Sequence, residues 1–345
     1  MPVPLSFPNL VPYGWDERWS ARFADVAEPG AAPGRVLRHD SSEVVVAEPE
    51  GVLHRTMAAG GLPLVVGDWV VIAGGTVCDL VPRTSLLRRS DASGDREQAL
   101  VANLDLLVIV AGLDRPVKAG RLQRAVALAW DAGAVPLVVL TKADVVADPE
   151  AARVAAGAAI PGVEVLALSA ARREGLNGLH RAIAGKTVVL LGESGAGKST
   201  LANALVGEEV AATGAVRHGD AKGRHTTTAR QLHLLPGGGA LIDTPGIRGV
   251  GLWVDAAAVD ATFADLVDLA GGCRFQDCRH DREPGCAVRS AVAAGSVDPA
   301  RLDAWNRMHR EVAAAALRAD EHAQNRSERR VSPVGRHPQR RKGGR

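Results

Sequence analysis

Gly192-Glu193-Ser194-Gly195-Ala196-Gly197-Lys198-Ser199-Thr200 contains the pattern G-x-x-x-x-G-K-[ST] without a mismatch. The apolar run Thr187 to Leu191 leads in, and Leu201-Ala-Asn-Ala-Leu-Val206 leads out, so the motif joins a strand to a helix. Glycines at such a junction let the backbone curl until successive N–H groups face one point. The positive end of the helix adds to that field and completes an anion cradle. Lys198 is placed to reach the β- and γ-phosphates of a nucleotide, and Ser199 to offer a hydroxyl to Mg²⁺. The bland alternative, a Gly-rich turn that matches by chance, is disfavoured by the strand before it and the helix after it.

Working outward, Leu106 to Ala111, Pro136 to Leu140 and Val163 to Leu168 are further continuous apolar strands, and Ala119 to Ala132 reads as a helix between two of them. Strands of this kind alternating with helices predict a parallel sheet covered on both faces. Upstream, residues 34 to 90 hold short β-branched runs separated by Gly-rich turns, as in Leu64-Val-Val-Gly-Asp-Trp-Val-Val-Ile72, and predict a small barrel. The polar stretch Ser90 to Gln98 reads as a linker out of it. Beyond Asp255 the pattern turns helical, with Leu302, Trp305, Met308 and Val312 at core spacing.

The phosphate loop does not choose the base. Thr141-Lys142-Ala143-Asp144, at the end of the strand Pro136 to Leu140, resembles the [NT]KxD element of GTPases. There the aspartate accepts from the N1–H and exocyclic amine of guanine while the lysine stem lies along the base. Adenine offers no such donors, and a buried carboxylate left unpaired costs about 1–3 kcal/mol or more. Threonine in place of asparagine is expected to remove an amide that ties this element to the phosphate loop. Ser169-Ala170 resembles the segment behind guanine O6 and gains weight only from its place at a strand end. Asp243-Thr-Pro-Gly246 ends another apolar strand, where Asp243 suits the Mg²⁺ shell and Gly246 can offer an N–H to the γ-phosphate.

The order of these elements is shuffled: the base-reading segments precede the phosphate loop, and Asp243 to Gly246 comes last. The pocket can still close, because ligands gather at the carboxyl ends of parallel strands whatever the connections. The γ-phosphate-sensing segments then run straight into the C-terminal region, so nucleotide state can be passed to it.

The chain has 345 residues, 46% hydrophobic and 23% charged, with net charge +2, which fits a globular protein of two or three domains. Its start lacks a basic segment followed by an apolar core, and no apolar run approaches the roughly 20 residues of a membrane helix. A cytoplasmic protein without membrane contact is expected. Cys273-x₄-Cys278-x-His280-x₅-Cys286 supplies a Cys₃His set suited to one structural Zn²⁺, with a disulfide or chance clustering as the alternatives. Cys78 lies in an apolar strand and is expected to be buried. Arg326 to Arg345 is strongly basic, and a disordered tail is expected.

Taken with Val101-Ala-Asn-Leu-Asp-Leu, Gly223-Arg-His225-Thr226-Thr227-Thr228-Ala-Arg and Glu283-Pro-Gly-Cys286-Ala-Val, these motifs resemble the RsgA (YjeQ) family of circularly permuted GTPases over about residues 34 to 320. The resemblance implies an N-terminal extension (1–33), an all-β OB-fold barrel (34–92) and a permuted α/β P-loop GTPase domain (98–254). A helical zinc-binding domain (255–325) and the tail (326–345) follow. It further implies a monomer that binds GTP or GDP with Mg²⁺, and GTP hydrolysis stimulated by the small ribosomal subunit. Ile247 stands where a Ras-like enzyme has its water-orienting glutamine. His225 is the nearest substitute, or simply a polar loop residue, and one of Thr226, Thr227 and Thr228 coordinates Mg²⁺. Trp69 is the only aromatic between residues 34 and 90, so shape and backbone contact with rRNA is expected, through Arg35, Arg38, Arg55, Arg83, Arg88 and Arg89. Two other readings stay open: an ATP-dependent kinase or ATPase, and an RNA-binding protein for which nucleotide is only a ligand.

Overall fold

The computed structural model describes residues 7–39, 43–57, 61–90, 97–210, 230–243 and 254–331. Before the barrel, α1 (Glu17–Ala24) is capped by Asp16, whose carboxylate accepts from Trp19 N at 2.9 Å. Trp15, Trp19 and Phe23 are buried and close around Trp69, with Trp15 edge-on to it at 5.0 Å. The N-terminal segment is therefore part of a core.

Strands β1 (Ala32–His39), β2 (Glu43–Glu48), β3 (Gly51–Met57), β4 (Trp69–Ala73) and β5 (Thr76–Leu80) pair in the order β1-β2-β3-β5-β4, and β4 returns to β1 to close the barrel. Gly34 sits at the seam, where a Cβ would lie 2.4 Å from Val46 and 2.6 Å from Ile72. Val36, Val44, Val46, Val70, Ile72 and Val77 fill the interior. Strand alternation puts Val77 inside and Cys78 outside, so Cys78 is exposed and not buried as its apolar neighbours suggested.

β6 (Leu86–Ser90) and β7 (Glu97–Ala102) form a separate antiparallel ribbon. Glu97 and Gln98, expected in the linker, instead pair with Ser90 and Arg89. The central region then runs β8 (Leu106–Gly112), α2 (Ala119–Asp131), β9 (Val135–Thr141), α3 (Pro149–Ala159), β10 (Glu164–Ala167), α4 (Leu176–Ile183), β11 (Thr187–Gly192), α5 (Lys198–Val206), β12 (Gln231–Leu234) and β13 (Ala240–Asp243). The strand order is β10-β9-β8-β11-β13-β12, parallel except for β12. β12 also meets β1 at Arg38↔Gln231, which makes barrel and sheet continuous. Val108, Val110, Val188 and Leu190 face α4 and α5, whereas Leu107, Ile109, Val189 and Leu191 face α2 and α3.

The C-terminal helices are α6 (Ala256–Thr262), α7 (Ala264–Ala270), α8 (Ala287–Ala293) and α9 (Pro299–Val331). Leu302, Trp305 and Met308 pack with Val259, Phe263 and Leu266, and Ala127 of α2 joins that core. α9 runs to Val331, so residues 326–331 are helical where a disordered tail was expected; Ala313 to Ala316 and the Glu, Arg and Gln after them favour helix.

α2 is the hub. The side chain of its last residue, Asp131, is fully buried and accepts from Arg88 at 3.1 and 3.2 Å and from Asp255 N at 3.0 Å. Arg124 forms a two-point pair with Glu311 of α9 at 2.6 and 3.0 Å. Arg301, also on α9, donates to Ala159 O at 2.8 Å and pairs with Asp265. Ribbon, sheet and C-terminal helices are thus locked to one helix.

Of the arginines expected at phosphates, Arg35, Arg55, Arg83 and Arg88 are engaged within the protein. Arg35 is fully buried against Trp69 and donates to Tyr13 O, Asn103 O and Thr187 Oγ1 at 2.9, 3.0 and 3.2 Å. Burial pulls its pKa down to about 10. Arg55 pairs with Glu48, Arg83 with Asp68 and Arg88 with Asp131. Carboxylates 7, 15 and 43 residues away engage Arg55, Arg83 and Arg88.

Candidate functional site

The phosphate loop leaves β11 at the strand edge. Gly192 stands opposite Val110, and a Cβ there would lie 2.2 Å from Val110 O, so only bare backbone fits. Gly195 and Gly197 take φ of +76° and +92°, which turns the chain into α5. Lys198 Nζ donates to Gly192 O and Glu193 O at 2.7 Å each, which holds the ammonium over the mouth of the curl. Ser194 and Gly195 are exposed there, while Ser199 and Thr200 lie half-buried in the first turn of α5. Glu193 points outward to an ion pair with Arg121 of α2.

The base side adjoins this loop. Thr141 Oγ1 is buried at the end of β9 and donates to Ala196 O at 2.5 Å. The tie expected to vanish with asparagine is therefore made by a hydroxyl. Lys142, at φ +59°, sends Nζ to Gly195 O at 2.7 Å and to Asp114 Oδ2 at 2.8 Å. Ala143 N donates to Leu168 O at 3.1 Å, which brings Asp144 beside Ser169. The Ser169 hydroxyl, the residue's own N–H and Arg172 hold the Asp144 carboxyl below its ordinary range. Arg172 Nε stands 3.5 Å from Asp144 Oδ2. Ser169 and Ala170 are both buried. The carboxylate reaches this edge already ionised.

Asp243 ends β13, which runs parallel to β11 with Ile242 opposite Val189, so it emerges at the same edge as Gly192. His225, Thr226, Thr227, Thr228 and Gly246 lie outside the described residues. Sequence reasoning missed Asp114, Arg172 and Gly112. The only signal for Asp114 was its place just past a strand end, at the edge where parallel sheets collect ligands.

The second cluster lies among the C-terminal helices. Ligand atoms of Cys273, Cys278, His280 and Cys286 all lie within 4.8 Å of one another. His280 Nδ1 is 3.6 Å from Cys273 Sγ and 3.4 Å from Cys286 Sγ, and the two sulfurs are 3.9 Å apart. Zn–S and Zn–N bonds of about 2.3 and 2.1 Å at tetrahedral angles require edges of roughly 3.6–3.8 Å, so this donor set fits zinc. His280 takes φ +58° and stacks on Trp305 at 5.0 Å. Trp305 Nε1 donates to Asp260 at 3.3 Å, and His309 meets the same carboxylate at 2.8 Å. Burial lowers the His280 pKa and favours the neutral ring that ligates metal.

The family model described as RsgA GTPase matches residues 80–253. A relative from Streptomyces coelicolor named "Small ribosomal subunit biogenesis GTPase RsgA" is 47% identical over 315 residues, covering 88% of this chain and 86% of its own length. One of the same name from Opitutus terrae is 40% identical over 338 residues, covering 90% and 92%. Among solved structures, the crystal structure of YjeQ from Thermotoga maritima aligns with a TM-score of 0.64 at 25% identity, covering 82% of this chain and 98% of that one. The crystal structure of YloQ, described as a circularly permuted GTPase, aligns at a TM-score of 0.62 and 21% identity, over 83% of this chain and 96% of that one, and shows the fold alone. Among the described residues no helix is long and apolar enough to cross a membrane. A phosphate loop that follows the base-side element in sequence yet adjoins it in space, in a chain matched nearly end to end by such relatives, places this protein in the RsgA GTPase family.

Proposed function

We propose that this GTPase works in the bacterial cytoplasm on the small ribosomal subunit during its maturation, hydrolysing GTP to GDP and phosphate with stimulation by the subunit. The carrying observation is the matching of relatives of that name across about nine-tenths of both chains. The geometry supports division of labour. Lys198 and the N–H groups of Gly192 to Thr200 bind the β- and γ-phosphates. Asp144 accepts from guanine, Lys142 walls the base, and Ser169-Ala170 backs O6. Ser199, Asp243 and one of Thr226 to Thr228 would hold Mg²⁺, which when bound neutralises developing phosphate charge. Cys273, Cys278, His280 and Cys286 would hold one Zn²⁺. The proposed units are barrel, permuted GTPase domain and zinc-binding helices, with the barrel meeting folded rRNA by shape.

With purified small subunits, phosphate release from GTP should rise at least about tenfold over protein alone, and large subunits should have little effect. Equal rates with small subunits, large subunits or neither would remove the ribosomal part of the proposal. Hydrolysis needs a group to orient water, and Ile247 cannot do so. His225, beside the threonines, has the chemistry. His225→Ala should lower subunit-stimulated turnover about a hundredfold while GDP affinity changes less than about twofold. Undiminished turnover would leave His225 a loop residue.

A further inference from the structure

We propose that Asp114 is a positioning residue for guanine recognition: with the Gly195 carbonyl, its carboxylate fixes the Lys142 ammonium so that the lysine stem stands as one wall of the base pocket. The proposal rests on the guanine reading of Thr141 to Asp144 given above and deepens it.

Asp114 lies two residues beyond β8, Lys142 just beyond β9, and Gly195 in the loop after β11. Their side chains and carbonyl meet at one point. Lys142 Nζ donates to Asp114 Oδ2 at 2.8 Å and to Gly195 O at 2.7 Å, and Arg115 Nη2 adds a contact to Asp114 Oδ2 at 3.2 Å. The carbonyl alone is a neutral acceptor on a glycine loop. The Asp114 carboxylate gives the ammonium a second anchor and a counter-charge on a different strand end.

The backbone is shaped for this contact. At Gly112 a Cβ would stand 2.5 Å from Asp114 Oδ1, 3.5 Å from Ala196 Cα and 3.6 Å from Lys142 Cδ. Glycine there lets both the carboxylate and the lysine stem lie against the strand end. Lys142 itself adopts φ +59°, a region that costs a non-glycine residue energy, so its position depends on the contacts that hold it. Lys142 and Arg115 keep the Asp114 carboxyl below its ordinary range, so the anchor is charged throughout the neutral region. Without it the lysine regains rotamers, and the pocket wall must be ordered when the base arrives.

The test is titration calorimetry with GDP and GTP on the full-length chain carrying Asp114→Ala, Asp114→Asn, Lys142→Ala or both alanines. Asp114→Ala should weaken GDP and GTP alike by about tenfold, the size expected for a charged hydrogen bond that is one-third exposed. Asp114→Asn keeps an acceptor oxygen but not the charge, and should recover part of that loss. In the Lys142→Ala background Asp114→Ala should cost nothing further, a result that general destabilisation would not give. GDP affinity of Asp114→Ala within twofold of the wild type, or an equal loss with Lys142 already removed, overturns the proposal. A wild-type protein with no preference for GDP over ADP sinks the guanine reading and Asp114 with it, whereas a preserved preference beside an unaffected Asp114→Ala sinks the proposal alone.

Discussion

Asp144→Asn should weaken GDP binding about 10²- to 10³-fold and make xanthosine diphosphate the better ligand. Guanine presents two donors at this edge, N1–H and the exocyclic amine. An ionised carboxylate offers two acceptors, and the Ser169 hydroxyl with Arg172 keeps Asp144 in that form. Asparagine offers one acceptor and one donor, so its amide NH₂ would confront the guanine amine. The penalty combines a lost charged bond with an unpaired donor. Xanthine carries an oxygen where guanine has its amine, and the asparagine donor then finds a partner. Competition titrations with GDP and xanthosine diphosphate give the ratio directly. A ratio unchanged by the substitution would mean that the base is read elsewhere, and the assignment of Thr141 to Asp144 would fall.

The dependence on pH has a definite sign. Asp144 is depressed, so its acceptor pair persists as pH falls below the ordinary carboxylate value of about 3.9 and is lost only on passing the lowered pKa. Loss of guanine preference between neutral pH and pH 5 would therefore have another origin.

What could be read in the sequence was whatever is written in neighbouring residues. A phosphate loop needs glycines at fixed offsets because the curl is local, and Gly195 and Gly197 adopt the positive φ that such a curl demands. The Cys₃His spacing is equally local. Asp114 is different: it matters because β8, β9 and β11 end side by side, and adjacency in a permuted sheet is not a property of any short segment. Thr141 teaches the same lesson, since the Ala196 carbonyl that it meets is 55 residues away. Arg35 reads as a surface cation until Trp69, Tyr13, Asn103 and Thr187 converge on it. Cys78 turned on strand phase, and one residue of register decides inside from outside.

The shared core bears on how nucleotide state could travel. Trp69 of the barrel, Leu128 of α2 and Val189 of β11 belong to one cluster, and Ala127 reaches into the core of the C-terminal helices. Asp131 joins ribbon and α6 to the same helix. A shift of α2 cannot then be confined to one part of the molecule, because packed cores do not deform freely. Such coupling requires that the C-terminal helices be rigid, and the proposed zinc site is one means of holding them.

Zinc removal should therefore separate two properties that the intact chain joins. Purified protein should contain one zinc per chain, and chelation or Cys286→Ser should abolish it. The loop from Cys273 to Cys286 has little core of its own: Phe275 is 41% exposed, and Arg274, Asp277 and Arg282 are exposed as well. Metal binding in isolated fingers contributes about 10–16 kcal/mol, far more than such a loop gains from packing. Loss of the ion frees His280 from its strained φ and from its stack on Trp305, whose indole holds Asp260 at the start of the helical core. Cys286 also caps α8 through Arg289 N at 3.4 Å, so the cluster adjoins the start of that helix. Trypsin should then cut after Arg279 and Arg282, sites resistant in the zinc-loaded protein. GDP affinity should stay within about threefold, because the cores around β11 and α5 do not include the cysteines. Small-subunit stimulation should fall at least tenfold, because the coupling through α2 would then end on loosened helices. Zinc-free protein that resists trypsin as well as the loaded form would show that packing alone holds the loop. The cluster would then be a passenger on the fold, and the rigidity of the C-terminal helices would need another source.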